Sequence, residues 1–312
     1  MKSQHTNRSS TFRAQRGALY VILAALSWST MGVLARRMNA IGLFSLEISQ
    51  VRVSVAFFTI SLFLLIKNPT LFRIRWKDLW CFIGTGLCSL LLYCICYFRA
   101  LESASISIVT VLTYMSPVYI MLMSAMLFHE KITGRKILAL CLSIAGCILV
   151  SGILFGISGD ATGLLLGFAA GFFYALYSIF TKFAINRGYT TWTILFYTFG
   201  FAMIGCSFLC DWHTIGTVVS SSVNAVFLCL LFGVITCFVP YALYSRGLQE
   251  IEMSKASILN CLDVVSSSIL GALFFREYPT WTAVCGIALV LTSVILLSTN
   301  GRQTAMNSDG KV

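Results

Sequence analysis

Asp263 is the only acidic residue deep in an apolar stretch of this 312-residue chain; Asn260 precedes it and Ser266, Ser267 and Ser268 follow. A carboxylate in a low dielectric tends to hold a proton near neutrality. At that depth it can couple a proton to another event or hold a substrate ammonium. The alternative is a protonated carboxyl bonded to Ser267 one turn on, joining helices. Arg52 stands early in its apolar stretch, within Glu47-Ile48-Ser49-Gln50-Val51-Arg52. A charge inside a membrane span costs about 3 kcal/mol or more, so it needs a cavity or a partner. It either attracts anionic substrate groups, pairs with Glu47, or snorkels to the interface on its long stem.

Aromatic residues interleave with small ones in the same stretches: Trp28, Tyr93, Tyr97, Tyr114, Tyr174, Tyr177 and Tyr241. Each Tyr or Trp offers an apolar face with one hydrogen-bonding tip, which suits an organic solute, although such residues also serve packing and interface belts. Pro117 and Pro240 are helix-interior prolines that free a carbonyl one turn back, near Thr113 and Thr236, and are candidates for bends in a pathway. Glu130 and Glu277 fall at stretch ends just before Thr133 and Thr280. There a carboxylate favours the positive end of the following helix, an architectural role. No P-loop, metal-binding or catalytic motif is present; His5, His129 and His213 are scattered over tail and loops. The expectation is therefore no catalytic residue, no metal and no cofactor. Most of the twelve cysteines lie within apolar runs, where a thiol is a small hydrophobe. Cys206 and Cys210, one turn apart, are a weak metal or disulfide signal.

These residues need elements to hold them, and composition says which. Hydrophobic residues make up 58% of the chain and charged residues 11%, with mean hydropathy +0.87. Soluble domains carry about 25% charged residues, so this chain is solvated by lipid. A bilayer core of about 30 Å takes roughly 20 apolar residues per helix. That measure yields ten spans, at about 17–36, 44–66, 79–98, 104–127, 134–153, 161–184, 190–210, 224–245, 254–275 and 280–298. Residues 1–16 read as a disordered tail and 299–312 as a second polar tail. The connections are short and leave no room for an extramembrane domain. Seventeen Lys and Arg fall in the tails and alternate connections that share their side, against four in the other connections. By the positive-inside rule both tails are cytoplasmic. The net charge of +11 follows from that bias and is no sign of a nucleic-acid partner.

The chain repeats itself. Leu127-Phe128-His129-Glu130 is answered 147 residues later by Phe274-Phe275-Arg276-Glu277, and at the same offset Tyr97 meets Tyr244 and Arg99 meets Arg246. At 146 residues Gly17, Ala24 and Trp28 meet Gly163, Ala170 and Tyr174. Each half, 17–153 and 161–298, holds five spans. An odd number sends the second half in from the opposite side. The fold class is thus all-α integral membrane, ten helices in two inverted five-helix repeats, with a site near the midplane between them.

Arg99-Ala100-Leu101 through Ser116-Pro117-Val118 to Glu130, repeated as Arg246-Gly247-Leu248 through Asp263-Val264-Val265 to Glu277, resembles the EamA family of the drug/metabolite transporter superfamily. The resemblance covers residues 17–298. It implies export or exchange of small metabolites, often amino acids or related compounds, across the inner membrane. It also implies a packing or gating role for Arg52. Val264 replaces the proline at 117, so a kink is expected in the fourth span and is in doubt in the ninth.

The leading expectation is a secondary transporter working by alternating access on a small-molecule substrate, proton-coupled through Asp263, as monomer or homodimer. A small-drug or cation efflux pump of the same fold would use Asp263 as its acid. A polytopic membrane enzyme would need a polar catalytic cluster at one face, and none is written in the sequence. A receptor or scaffold would not call for fused inverted repeats.

Overall fold

The computed structural model describes residues 2–151, 160–276 and 279–298, and among these every regular element is helical. The first span is α1 (Lys2–Ser29) with α2 (Met31–Ala40), and the second is α3 (Ser45–Lys67). The third joins α4 (Leu79–Ile83), a π-helical stretch over Gly84–Leu91 and α5 (Leu92–Ser103). The fourth is α6 (Ile106–Thr113) with α7 (Ser116–Phe128), followed by α8 (Gly134–Ser151), α9 (Ala161–Asn186) and α10 (Thr191–Ser207). After a short helix α11 (Trp212–Ser221), the eighth span runs α12 (Val223–Gly233), a π stretch Val234–Phe238 and α13 (Val239–Glu250). The ninth is α14 (Met253–Asn260) with α15 (Leu262–Phe275), and α16 (Trp281–Ser298) is the tenth. Eight of the ten are long and apolar enough to cross a membrane alone; α10 and α16 are the shorter two. Helices are the form available here, because lipid offers backbone groups no hydrogen bonds.

The duplication is written in the backbone. Helix α8 maps onto α16 end for end at 147 residues. His129 and Arg276, the same distance apart, are the two non-glycine residues with positive φ among the described residues, at 54° and 57°. Each closes its span in the left-handed conformation that terminates helices. The π stretches of the third and eighth spans overlap at that offset, and the breaks at Tyr114–Met115 and Cys261 coincide too. Thus the ninth span breaks where the fourth does, although Val264 has replaced the proline. Pro117 is therefore not required for such a break, and it is tolerated at the second position of α7, where no backbone N–H is needed. Cys261 and Val264 instead donate their N–H groups three residues back, to Ile258 and Cys261, and this tightened turn makes the bend.

Successive spans alternate in direction, and contacts between their ends define two faces. On one, Arg16 Nε donates to Glu250 Oε1 at 2.9 Å, Lys136 pairs with Glu252 at 2.7 Å, and Tyr189 OH donates to Asp78 at 2.7 Å. On the other, Asp160 N–H reaches Ser103 O, and the Arg36 guanidinium lies 4.1 Å from the Phe275 ring centre. Glu130 belongs to the first face and Arg276 to the second, so the halves are inverted.

Two expectations fail locally. Residues 1–16, read as a disordered tail, are helical from Lys2 and continuous with the first span. No Pro or Gly precedes Gly17, so nothing interrupts helix propagation. The seventh span ends at Ser207, and the chain turns by 108° into α11, which the sequence reading took for loop. Asp211 starts α11 by accepting the His213 N–H at 2.9 Å, and Ile215 and Val218 bury its apolar side. The tail 299–312 lies outside the described residues.

Candidate functional site

Six aromatic rings from both repeats meet in the middle of the bundle. Trp28 lies edge-on to Tyr241, centroids 5.2 Å apart, and tilts over Tyr244 at 5.6 Å. Tyr177 packs on Tyr241 at 4.8 Å, and Tyr93 on Tyr174 at 5.4 Å. Together with Ser89, Leu90 and Ser178 these rings enclose a void of about 10 Å³. That is room for about one water. The site is closed in this state.

Local sequence explains the placement. The π stretch of the third span changes helical phase just before Tyr93, and that of the eighth does so before Tyr241 and Tyr244. Pro240 follows that stretch in the first turn of α13, and Thr236 Oγ1 donates to Phe232 O at 2.7 Å. Two buried tyrosine hydroxyls of the site find partners: Tyr177 OH with Ser245 Oγ at 2.6 Å, and Tyr244 OH with Ser178 Oγ at 2.9 Å. Tyr244 and Ser178 were missed by sequence reading. Tyr244 was signalled, being the repeat partner of Tyr97.

Tyr114, Tyr174, Asn260 and Asp263 form an adjoining polar cluster. Tyr114 OH donates to Asp263 Oδ1 at 3.1 Å, and Asn260 Nδ2 donates to Tyr174 OH at 3.2 Å. Asn260 Oδ1 is buried without a partner. Asp263 does not use Ser267, whose hydroxyl donates to Val264 O at 3.0 Å. Tyr97 packs against Tyr93 at 5.6 Å and does not line the void. Trp28, Tyr93, Tyr174, Tyr177 and Tyr241 do.

Arg52 matches neither structural alternative. It is 4% exposed, so it does not snorkel. It does not pair with Glu47, whose Oε1 accepts the Asp211 N–H at 3.3 Å instead. Its Nη1 meets Met31 Sδ at 3.4 Å, and its buried Nε has no partner.

Glu130 also departs from expectation. It serves α14 rather than the helix after it: Oε1 accepts the Met253 N–H at 2.9 Å, and Oε2 accepts Ser254 Oγ at 2.8 Å. The inverted packing brings the start of the ninth span to the end of the fourth, a neighbour that chain order conceals. Glu277 lies outside the described residues. Cys206 and Cys210 are free thiols, and no metal-holding group occurs among the described residues.

An aromatic site walled by two inverted five-helix repeats defines a multi-pass membrane protein of transporter type. Residues 15–152 and 161–299 each match the EamA-like transporter family, and the chain belongs to that family. It is 26% identical over 300 residues to the uncharacterized inner membrane transporter YicL of Salmonella typhimurium, covering 93% of this chain and 98% of that one. It is 23% identical to the pseudopaline exporter CntI of Pseudomonas aeruginosa, with 90% and 95% covered. An uncharacterized transporter of Archaeoglobus fulgidus is 28% identical over 200 residues, 64% of this chain and 70% of that one. A solved crystal structure shares the fold with a TM-score of 0.75 at 17% identity, covering 92% of this chain and 98% of that chain.

Proposed function

We propose that this protein is a secondary active transporter that exports or exchanges small metabolites, such as amino acids or related compounds, by alternating access. The observation that carries the reading is the closed aromatic void at the repeat interface, with Trp28 and Tyr93 from one repeat and Tyr174, Tyr177, Tyr241 and Tyr244 from the other. A site shared by inverted repeats opens to one side when one half tilts against the other. The face carrying Arg16, Glu130, Lys136 and Glu250 is bridged between the repeats and holds an open cavity of about 510 Å³ lined by Glu130, Lys182, Glu250 and Glu252. The excess of Lys and Arg on the same side supports calling it cytoplasmic, with both termini there and the protein in the inner membrane. The working units are residues 17–153 and 161–298, flanked by cytoplasmic tails at 1–16 and 299–312.

Asp263 supplies the coupling group in this reading. Its bond from Tyr114 crosses between the fourth and ninth spans, the two broken spans that invert onto each other, so its proton state bears on both. The exporter CntI supports the outward direction. The test is metabolite accumulation in cells lacking the gene, followed by counterflow of each accumulated compound in proteoliposomes. No accumulated compound showing counterflow would defeat the proposal. The same carboxylate supports a second reading, efflux of small organic cations. That reading requires that Asp263→Asn lose cation flux while neutral solutes are unaffected.

A further inference from the structure

Arg52 is a buried cation lacking an anion. Among the described residues it makes no ion pair, and Nε is left without any acceptor. The four groups that act on it most strongly are Cys237, Cys94, Tyr241 and Tyr93, none of them a carboxylate. Gln50, on the same helix, leaves its own Oε1 buried and unpartnered while Nε2 donates to Ser54 Oγ at 3.1 Å. An unpaired charge in such surroundings is strongly unfavourable, and removing its partner leaves the full desolvation cost in place. Natural interiors tolerate that where a ligand completes the pair. Two of the four neighbours, Tyr93 and Tyr241, also line the central void. Arg52 does not itself line the void; the orphaned guanidinium stands behind the rings of Tyr93 and Tyr241, which do.

We infer that Arg52 is the receptor for a carboxylate group of the transported molecule. This rests on the transporter reading and names its substrate class: small carboxylates. Guanidinium and carboxylate match as planar forks that exchange two parallel hydrogen bonds. A phosphate fits less well, because it brings close to two charges and three acceptor oxygens to a single cation in a tight space. The carboxylate enters when the rings of Tyr93 and Tyr241 part. Binding satisfies Nε, neutralises the cation, and holds the rings of Tyr93 and Tyr241 apart.

The full-length protein, purified in detergent, is titrated with sodium acetate or sodium chloride at constant ionic strength while thermal unfolding is followed. Acetate stands in for the carboxylate class. The expected result is a saturable rise of about 3 °C with acetate and a much smaller one with chloride. Arg52→Gln and Arg52→Met lose the acetate response, and Arg52→Lys keeps part of it. Arg52→Met without added anion melts above the wild type, because the uncompensated charge is gone. An equal response to chloride would make this an inorganic-anion site and overturn the inference. So would a flat acetate titration of the wild type, or an undiminished response in Arg52→Gln. The wild-type titration decides by itself if the variants do not fold. A protein that moves a metabolite in proteoliposomes yet ignores acetate keeps its transporter reading and loses this one. One that binds acetate through Arg52 but moves no solute does the reverse.

Discussion

Gly146 of α8 and Gly286 of α16 touch backbone to backbone. A Cβ on Gly146 would lie 2.7 Å from Gly286 O, and one on Gly286 would lie 2.6 Å from Gly146 O. The two helices are repeat counterparts, so this close approach between the halves is built from one small residue on each. Apolar side chains gain nothing by leaving lipid for one another, and close backbone packing supplies the association instead. Gly146→Ala and Gly286→Ala are each expected to cost about 1–3 kcal/mol through overpacking. Thermal unfolding in detergent reads this as a drop of several degrees. An unchanged melting temperature in both would mean that the contact is slack.

Glu130 ties the fourth span to the ninth through the Met253 N–H and the Ser254 hydroxyl. Glu130→Ala is expected to destabilise by about 1–2 kcal/mol, the range for a lost helix cap. Glu130→Gln keeps one acceptor and loses less. If the alanine variant melts as the wild type does, α14 is capped from elsewhere.

Asp263 is expected to matter to flux more than Glu130 does. The glutamate sits at a span end near water, whereas Asp263 lies at lipid depth with Tyr114 as its side-chain partner. Asp263→Asn should abolish transport in proteoliposomes or make its rate independent of pH, with expression and gel-filtration profile intact. An unchanged pH profile would assign Asp263 to structure alone.

Trp28→Ala should enlarge the central void, because the indole closes it against Tyr241 and Tyr244. The expected outcome is a shift of preference toward bulkier solutes, read as altered competition in a counterflow assay. Unaltered competition would place recognition elsewhere.

Reporter fusions after Lys77, Asp160 and Arg187 should read inside, outside and inside. Any other order breaks the alternation on which the inverted repeats rest.

Much of the architecture was legible because the duplication leaves two marks, in side chains and in backbone. The pairing of His129 with Arg276 by offset marked two equivalent span ends, and the structure shows both to be left-handed. Five of the six rings of the void, all but Tyr244, stand among the aromatics singled out by residue type and depth. What escaped depends on packing between distant segments. Glu130 was assigned to the wrong helix because its partner lies more than a hundred residues away. Of the alternatives open for Arg52, pairing with Glu47 fails because Glu47 turns to Asp211 instead. Helix α11 was hidden because its ten residues, with buried Ile215 and Val218, are too short and too polar for span counting.

The two charged groups at the centre are single-copy. The repeat counterpart of Arg52 is Thr198, buried and donating to Thr85 Oγ1 at 2.6 Å. That of Asp263 is Ser116, buried in the first turn of α7. A homodimer of identical half-chains would have to carry both charges twice, on a strict twofold axis, and could not tell one end of a solute from the other. Joining the halves in one polypeptide let each lose a charge independently. The resulting bundle has a head and a tail, and on the reading proposed above a solute would have one way round to lie in it.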